Sequence, residues 1–385
     1  MPDTIAAIAT GTGAAGIGIV RISGPDALRV GSRITASVLV GHPLPPKSRQ
    51  RSHSLRRVTV RDPETRETLD DALLAVFRAP RSLTGEHVVE IQGHGGSLTL
   101  GRVLAACFAA GARAARPGEF TERAFRNGKM DLAQAEAVAA LVSSQTVAAQ
   151  RAALRQVSGA LSQAVRTAAS ALQEGLALIE ASIDFPEEIG DADPALVDGS
   201  LLRAEETVQT LLATASYGRR LREGLTIVLA GRPNVGKSSL LNALSGTERA
   251  IVTEVAGTTR DIVEEALNFG GLPVRALDTA GIRQTDDPVE TVGVARAWEA
   301  IRSADVVIAV LDASHCPPAE DDLRFLHSLA DQPQVIAINK SDAADSQVLL
   351  RSLKGVVGSH VPLVAVSART GEGLTTLTEA VSQTA

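Results

Sequence analysis

Gly231-Arg232-Pro233-Asn234-Val235-Gly236-Lys237-Ser238 (GRPNVGKS) follows the apolar run TIVLA, 226–230, and precedes SLLNALSG, 239–246. A short strand, a turn bounded by glycines and a helix opening on Lys-Ser form the context in which backbone N–H groups close around phosphate oxygens. The glycines let the backbone approach the phosphates. Lys237 is expected to reach the terminal phosphates and Ser238 to ligate magnesium, while the helix N-terminus adds partial positive charge. Asn234, Val235, Gly236, Lys237, Ser238 and Ser239 are the expected contacts of this loop.

Working outward, three further elements turn a nucleotide site into a guanine-nucleotide site. Asp278-Thr279-Ala280-Gly281 ends an expected strand at 272–278, where the Asp278 carboxylate can hold the magnesium shell and the Gly281 N–H can meet a γ-phosphate. Asn339, Lys340 and Asp342 of NKSD end another, at 334–339. The Asp342 carboxylate can accept from the N1–H and exocyclic amine of guanine, and adenine offers neither in that arrangement. Ser367, Ala368 and Arg369 end the last expected strand, 361–367, near the base oxygen. Further strands are expected at 225–230 and 305–312, with helical spacing between, so the domain reads as a mostly parallel sheet with crossover helices. In TEVAGTTRD the residues Thr253, Glu254, Val255, Ala256, Gly257, Thr258 and Thr259 complete the nucleotide shell, Thr259 as a second magnesium ligand. The set predicts GTP binding and hydrolysis. Ile282 follows the DTAG stretch and cannot orient a water. Asp286, Asp287 and Glu290 are the nearest groups that could, or they form a solvated acidic loop. With no arginine placed as a finger, a bound cation is one way to neutralise transition-state charge.

The 385 residues carry a net charge of −6 and are 44% hydrophobic, 21% charged and 2% aromatic. Bulk attraction to nucleic acid and base stacking on aromatic side chains are therefore disfavoured. Cys107 and Cys316 stand far apart with no metal-ligand spacing, and no membrane span or signal peptide is expected, so the chain reads as cytoplasmic. Strands are expected at 17–23, 72–78 and 88–92, a helix at 98–110, and an arginine-rich loop at 47–66. Gly11 to Gly16 match GxGxxG, but the strand-like residues 17–23 follow where a dinucleotide site needs a helix. Residues 121–183 and 194–216 are rich in helix formers, and 218–224 reads as a polar linker.

These residues resemble the family of tRNA-modifying GTPases called MnmE or TrmE. The resemblance runs through IGIVRISG (17–24), SLTGEHVVEIQGHGG (82–96), RPGEFTERAFRNGKMDLAQAEAV (116–138), IDFPEE (183–188) and the GTPase motifs. It implies an α/β multidomain chain, with an α+β folate-binding N-terminal domain (1–118), an α-helical domain (119–217) and a P-loop GTPase domain (218–385). It implies homodimerisation, a flavoprotein partner, FAD-dependent and MnmG/GidA-like, and action on the wobble uridine of tRNA with a one-carbon tetrahydrofolate. By residue matching, Arg21, Glu90 and Lys129 are folate contacts, and Asn234, Thr253, Val255 and Thr258 surround a potassium ion. Glu290 matches the catalytic glutamate. The family continues past the GTPase domain with further helices and a Cys-Ile-Gly-Lys tail, which residues 1–385 do not contain. GTP hydrolysis is therefore expected to survive and tRNA modification to be impaired. A GTP-gated ribosome- or RNA-assembly factor is the alternative.

Overall fold

The computed structural model describes residues 3–11, 13–35, 52–247, 263–278, 297–358 and 360–385, without the side chains of Val263, Glu264 and Asp278. The chain forms two compact units, 1–138 and 139–385.

In the first unit the elements run β1 (Ile5–Ile8), β2 (Ala15–Ser23), α1 (Ala27–Thr35), β3 (Ser54–Arg61), β4 (Thr68–Phe77), β5 (Val88–Gly95), α2 (Ser97–Ala109), β6 (Arg113–Ala114) and α3 (Glu119–Arg126), and α4 (Leu132–Ser143) spans the boundary in sequence. The six strands lie in the order β3-β4-β5-β2-β1-β6, antiparallel except for the parallel β1–β6 pair. Val20, Ile22, Leu74, Val76, Val89 and Ile91 alternate along the central strands and pack with Val30 and Ile34 of α1 and Val103 and Cys107 of α2. This is the period-2 pattern of a sheet with one covered face. Part of the expected arginine-rich loop is in fact β3. There Val58 and Val60 point into the core between exposed Arg57, Thr59 and Arg61, a two-residue apolar alternation that the surrounding arginines obscure in the sequence. Ala15 and Gly16 of the glycine-rich segment already belong to β2, so a strand and not a helix follows the glycines.

The helix-forming stretch from 121 divides at Gly128 (φ 67°) and Gly159 (φ 88°), positions where left-handed backbone suits glycine. Its later parts are α5 (Val147–Val157) and α6 (Ala160–Asp184), followed by α7 (Pro186–Ile189) and α8 (Pro194–Glu223). The expected linker at 218–224 is helical up to Glu223. Arg219, Arg220, Leu221 and Arg222 are good helix formers, Leu221 is buried in the core, and only at Gly224 (φ 78°) does the chain leave the helix.

The rest is β7 (Leu225–Ala230), α9 (Lys237–Thr247), β8 (Val263–Phe269), β9 (Leu272–Asp278), a helical segment at 297–303, β10 (Val306–Asp312), α10 (Glu320–Ser328), β11 (Gln334–Asn339), α11 (Ser346–Lys354), β12 (Leu363–Ala365) and α12 (Leu374–Thr384). The strand order is β12-β11-β10-β7-β9-β8, every pair parallel except β8–β9. Leu225, Ile227 and Leu229 of β7 face one apolar cluster, and Val228 and Ala230 face the other, as a sheet covered on both faces demands. β8 was not among the expected strands. It pairs with β9 through Gly270-Gly271 (φ 59° and 100°), the two-residue glycine turn of a hairpin. Among the described residues no helix is long and apolar enough to cross a membrane.

Thr146 joins α5 to that hairpin. Its Oγ1 accepts from Ala149 N at 3.2 Å, capping the helix, and donates to Gly271 O at 2.6 Å. Thr146→Ala removes both bonds and should lower the stability of this unit by about 1–2 kcal/mol in chemical denaturation, while Thr146→Ser stays near wild type. Equal midpoints for Thr146→Ala and wild type would contradict this.

Candidate functional site

β7 ends at Ala230, and the GRPNVGKS loop begins on Gly231 (φ 154°) pressed against β10, where an added Cβ would stand 2.4 Å from Val310 O. Asn234 (φ 65°) and Gly236 (φ 95°) are both left-handed, the turn chemistry that makes concave N–H nests for anions. At Gly236 a Cβ would lie 2.4 Å from Asn339 Nδ2, so only glycine fits. Val235 is buried beneath the loop. Lys237 opens α9, is 7% exposed, and donates from Nζ to Gly231 O and Arg232 O, each at 3.0 Å. Its ammonium is thus tied over the loop by the loop's own carbonyls. Ser238 and Ser239 are exposed in the first turn of α9. Among the described residues no group of three or more His, Cys, Asp or Glu side chains is placed to hold a metal. A hydroxyl such as that of Ser238, acting with phosphate oxygens, needs no such cluster.

The base side is built at the ends of β10, β11 and β12. Asn339 closes β11 at 1% exposure, donating from Nδ2 to Val235 O at 2.9 Å and accepting at Oδ1 from Ala368 N at 3.1 Å. One amide therefore joins the phosphate loop to the Ser367-Ala368-Arg369 loop. Lys340 (φ 65°) donates to Asn234 O at 3.0 Å and to Asp312 Oδ2 at 2.6 Å. The Asp342 carboxylate accepts from the Ser367 hydroxyl at 2.5 Å and from Arg369 Nε at 2.8 Å. The Ser367 bond foremost, against desolvation and with help from Arg369, holds its carboxyl below the ordinary range. At neutral pH it is an ionised acceptor, which is what a pair of guanine N–H donors requires.

Asp312 was not among the expected residues. It closes β10 opposite Asn339, is 7% exposed, and accepts from Ser314 N at 2.9 Å and Ser314 Oγ at 2.6 Å besides Lys340. Burial pushes its carboxyl up, but the Lys340 and Ser314 bonds outweigh burial and leave it below the ordinary value. The available signal was an aspartate ending the apolar run VVIAVL, 306–311.

Thr253, Glu254, Val255, Ala256, Gly257, Thr258, Thr259, Thr279, Ala280, Gly281, Ile282, Asp286, Asp287 and Glu290 lie outside the described residues. The backbone of Asp278 closes β9 in register with Leu229 of β7, one strand from the phosphate loop.

In the first unit, Arg21 of β2 and Glu90 of β5 are directly opposed, with Arg21 Nε 2.8 Å from Glu90 Oε1. The Arg21 guanidinium lies 5.6 Å from the Phe120 ring centroid, at cation–π distance, and Gln92 Nε2 donates to Glu90 Oε2 at 3.4 Å. Lys129 donates to Pro80 O at 3.1 Å, with its stem beside Gly85. The structure thus pairs Arg21 with Glu90 and seats Lys129 on the loop after β4.

A family model described as the GTP-binding protein TrmE N-terminus matches residues 4–129, and one described as the MnmE helical domain matches residues 132–385. A tRNA modification GTPase MnmE of Geobacter metallireducens is 46% identical over 385 residues, covering 100% of this chain and 82% of the relative. Relatives of the same name from Chloroflexus aurantiacus and Moorella thermoacetica are 47% and 46% identical, each covering 100% of this chain and 82% of the relative.

The Asp312–Lys340 pair has a signed pH dependence. Because the folded pKa of Asp312 is depressed, its stabilisation is complete above the ordinary carboxylate pKa and is lost as pH falls through the folded value. The stability difference between wild type and Asp312→Asn should be constant near neutrality and shrink below about pH 4 in urea titrations. A difference that instead grew on acidification would reverse the assigned sign.

Proposed function

The chain belongs to the MnmE family of tRNA modification GTPases, and from that premise we propose how its residues divide GTP hydrolysis and the modification of tRNA between them. It is a GTP hydrolase of tRNA modification. The observation that carries the assignment of the nucleotide to this loop is the Asn339 amide, which spans from Val235 O to Ala368 N. A nucleotide whose phosphates lie in the 231–238 loop then has its base beside Asp342, Ser367, Ala368 and Arg369. Lys237 meets the terminal phosphates, and Asp342 accepts the two guanine N–H groups. Asn339 and Lys340 keep the two halves in register.

Ser238, with Thr259, would hold magnesium, a role that an exposed serine in the first turn of α9 fits, and the ion would offset phosphate charge. Asp278, Thr279, Ala280 and Gly281 border the γ-phosphate. Asn234, exposed on the loop with left-handed backbone, fits one ligand position for potassium. With Thr253, Val255 and Thr258 it would hold that ion, whose positive charge would stand in for an arginine finger. Glu290 orients the attacking water in place of Ile282.

In the first unit the paired Arg21 and Glu90 offer a cation and an acceptor side by side, which suits a folate that presents both carboxylates and N–H donors. Lys129 adds a second cation. A one-carbon tetrahydrofolate supplies the carbon for the wobble uridine. A homodimer, a flavoprotein partner of the MnmG/GidA kind and a cytoplasmic location complete the proposal. The domain division 1–118, 119–217 and 218–385 is part of it.

Purified chain should hydrolyse GTP several-fold faster in potassium chloride than in sodium chloride at matched ionic strength, a stimulation that Asn234→Ala abolishes. Equal rates in the two salts would remove the potassium assignment. Asp342→Asn replaces an acceptor by a donor, so GTP binding should weaken on the order of 100-fold while binding of xanthosine triphosphate, with an oxygen at position 2, improves. Unchanged GTP affinity would take Asp342 out of the base site.

A further inference from the structure

α10 opens with Glu320, Asp321 and Asp322. Carboxylates in a first turn complement the helix dipole from the solvent side. Glu320 takes such a place and pairs with Arg324 at 2.5 Å, and Asp321 is also exposed. Asp322 departs from this pattern. It lies on the same stripe as Leu326 and Leu329, which are 3% and 0% exposed, and is itself 7% exposed. An apolar side chain would serve the packing of α10 there. A buried carboxylate is strongly destabilising unless it is paired and hydrogen-bonded.

The Asp322 pairing is partial. Oδ1 is buried with no hydrogen-bond partner among the described residues, and Oδ2 stands 3.7 Å from Arg232 Nη1. Burial pushes the carboxyl above its ordinary range, against the pull of Arg232, of the Ala319 backbone at the helix N-cap and of His315. Arg232 is the second residue of the GRPNVGKS loop, and its carbonyl is one of the two that hold the Lys237 ammonium. A buried carboxylate with one oxygen unpartnered among the described residues therefore faces the phosphate loop at the residue whose peptide locates Lys237.

We propose that Asp322 is a positioning residue for GTP binding, acting through Arg232 to hold the outer arm of the phosphate loop and thereby the place of Lys237. The Arg232 guanidinium is the tether. With its side chain drawn to α10, the Arg232 peptide is restrained, and its carbonyl stays where the Lys237 ammonium can bridge it to Gly231 O. Without the tether the loop samples other peptide orientations, and nucleotide binding must pay for reordering it. The proposal rests on the assignment of GTP to this loop, which binding of magnesium-GDP by wild type tests separately.

The test uses the full 385-residue chain, with Asp322→Asn, Arg232→Gln and the double variant. Asparagine keeps the volume of the aspartate and removes its charge. Each single change should weaken magnesium-GDP binding and raise the KM for GTP about 3- to 10-fold with kcat within about twofold, and the double variant should be no weaker than the worse single one. If Asp322 merely packs α10, Asp322→Asn shifts the melting midpoint and leaves KM unchanged, or the two losses multiply, and either result overturns the tether. Should Asp322→Asn fail to fold, Arg232→Gln decides alone, because its head is 43% exposed and its loss leaves the core intact. An unchanged KM in that variant overturns the proposal.

Discussion

A single side-chain amide, that of Asn339, sets the geometry on which the nucleotide site depends. At 1% exposure its N–H and C=O groups have no water to turn to, and leaving either unpaired would be destabilising by about 1–3 kcal/mol. Both are satisfied across tertiary distance, by Val235 O in the phosphate loop and Ala368 N in the loop after β12. The constraint propagates outward. Gly236 must be glycine because the amide nitrogen occupies the space of its Cβ. Lys340, the next residue, adopts left-handed backbone and reaches both Asn234 O and the buried Asp312 carboxylate. Three strand ends of a parallel sheet are thus stitched together at the edge where such sheets bind ligands.

A comparable logic runs through the first unit. Glu119 is 3% exposed at the start of α3, yet its carboxylate accepts from Arg113 at 2.6 Å and 2.9 Å, from Arg123 at 3.1 Å and from Arg116 N at 2.8 Å. The Arg113 bonds foremost, against burial, hold it far below the ordinary carboxylate range. Arg123 also bonds Glu86 at 3.1 Å and the Asp3 carboxylate at 2.6 Å, and Glu86 accepts from Ser23 at 2.7 Å. This network locks α3 onto β2 and the 82–87 loop. Phe120 is the next residue after Glu119, so the lock also places its ring beside Arg21. Glu119 in the first unit and Asp312 in the second are tolerated as buried charges because each meets several donors at once.

The legible parts of the sequence were those whose chemistry is local. GRPNVGKS, NKSD and the strand-length apolar runs declare themselves because a phosphate nest, a base acceptor and a doubly covered strand each need particular residues at fixed short spacing. The misread parts were those where local propensity and tertiary packing disagree. Residues 218–223 look like a polar linker, but Leu221 finds a core position and draws the turn into α8. In β3 the apolar alternation is only Val58 and Val60, and pairing along β4 supplies the rest. The Gly270-Gly271 turn carried a hairpin signal in plain view, yet the strand before it, EEALNF, lacks alternation strong enough to stand out.

The sequence by itself determined the parallel-sheet fold of the second unit and which loop and which carboxylate are the candidates for phosphate and guanine. These follow from the spacing of glycine, lysine and aspartate at the ends of apolar strands. Only the tertiary structure decided which polar groups serve those residues. Asp312 beneath Lys340, Glu90 opposite Arg21 and Asp322 facing Arg232 are pairs separated by 28, 69 and 90 positions. Strand register and helix packing bring them together, and no local spacing encodes that meeting. A buried charge reveals its partner only when the low-dielectric interior that makes the partner necessary has been assembled around it.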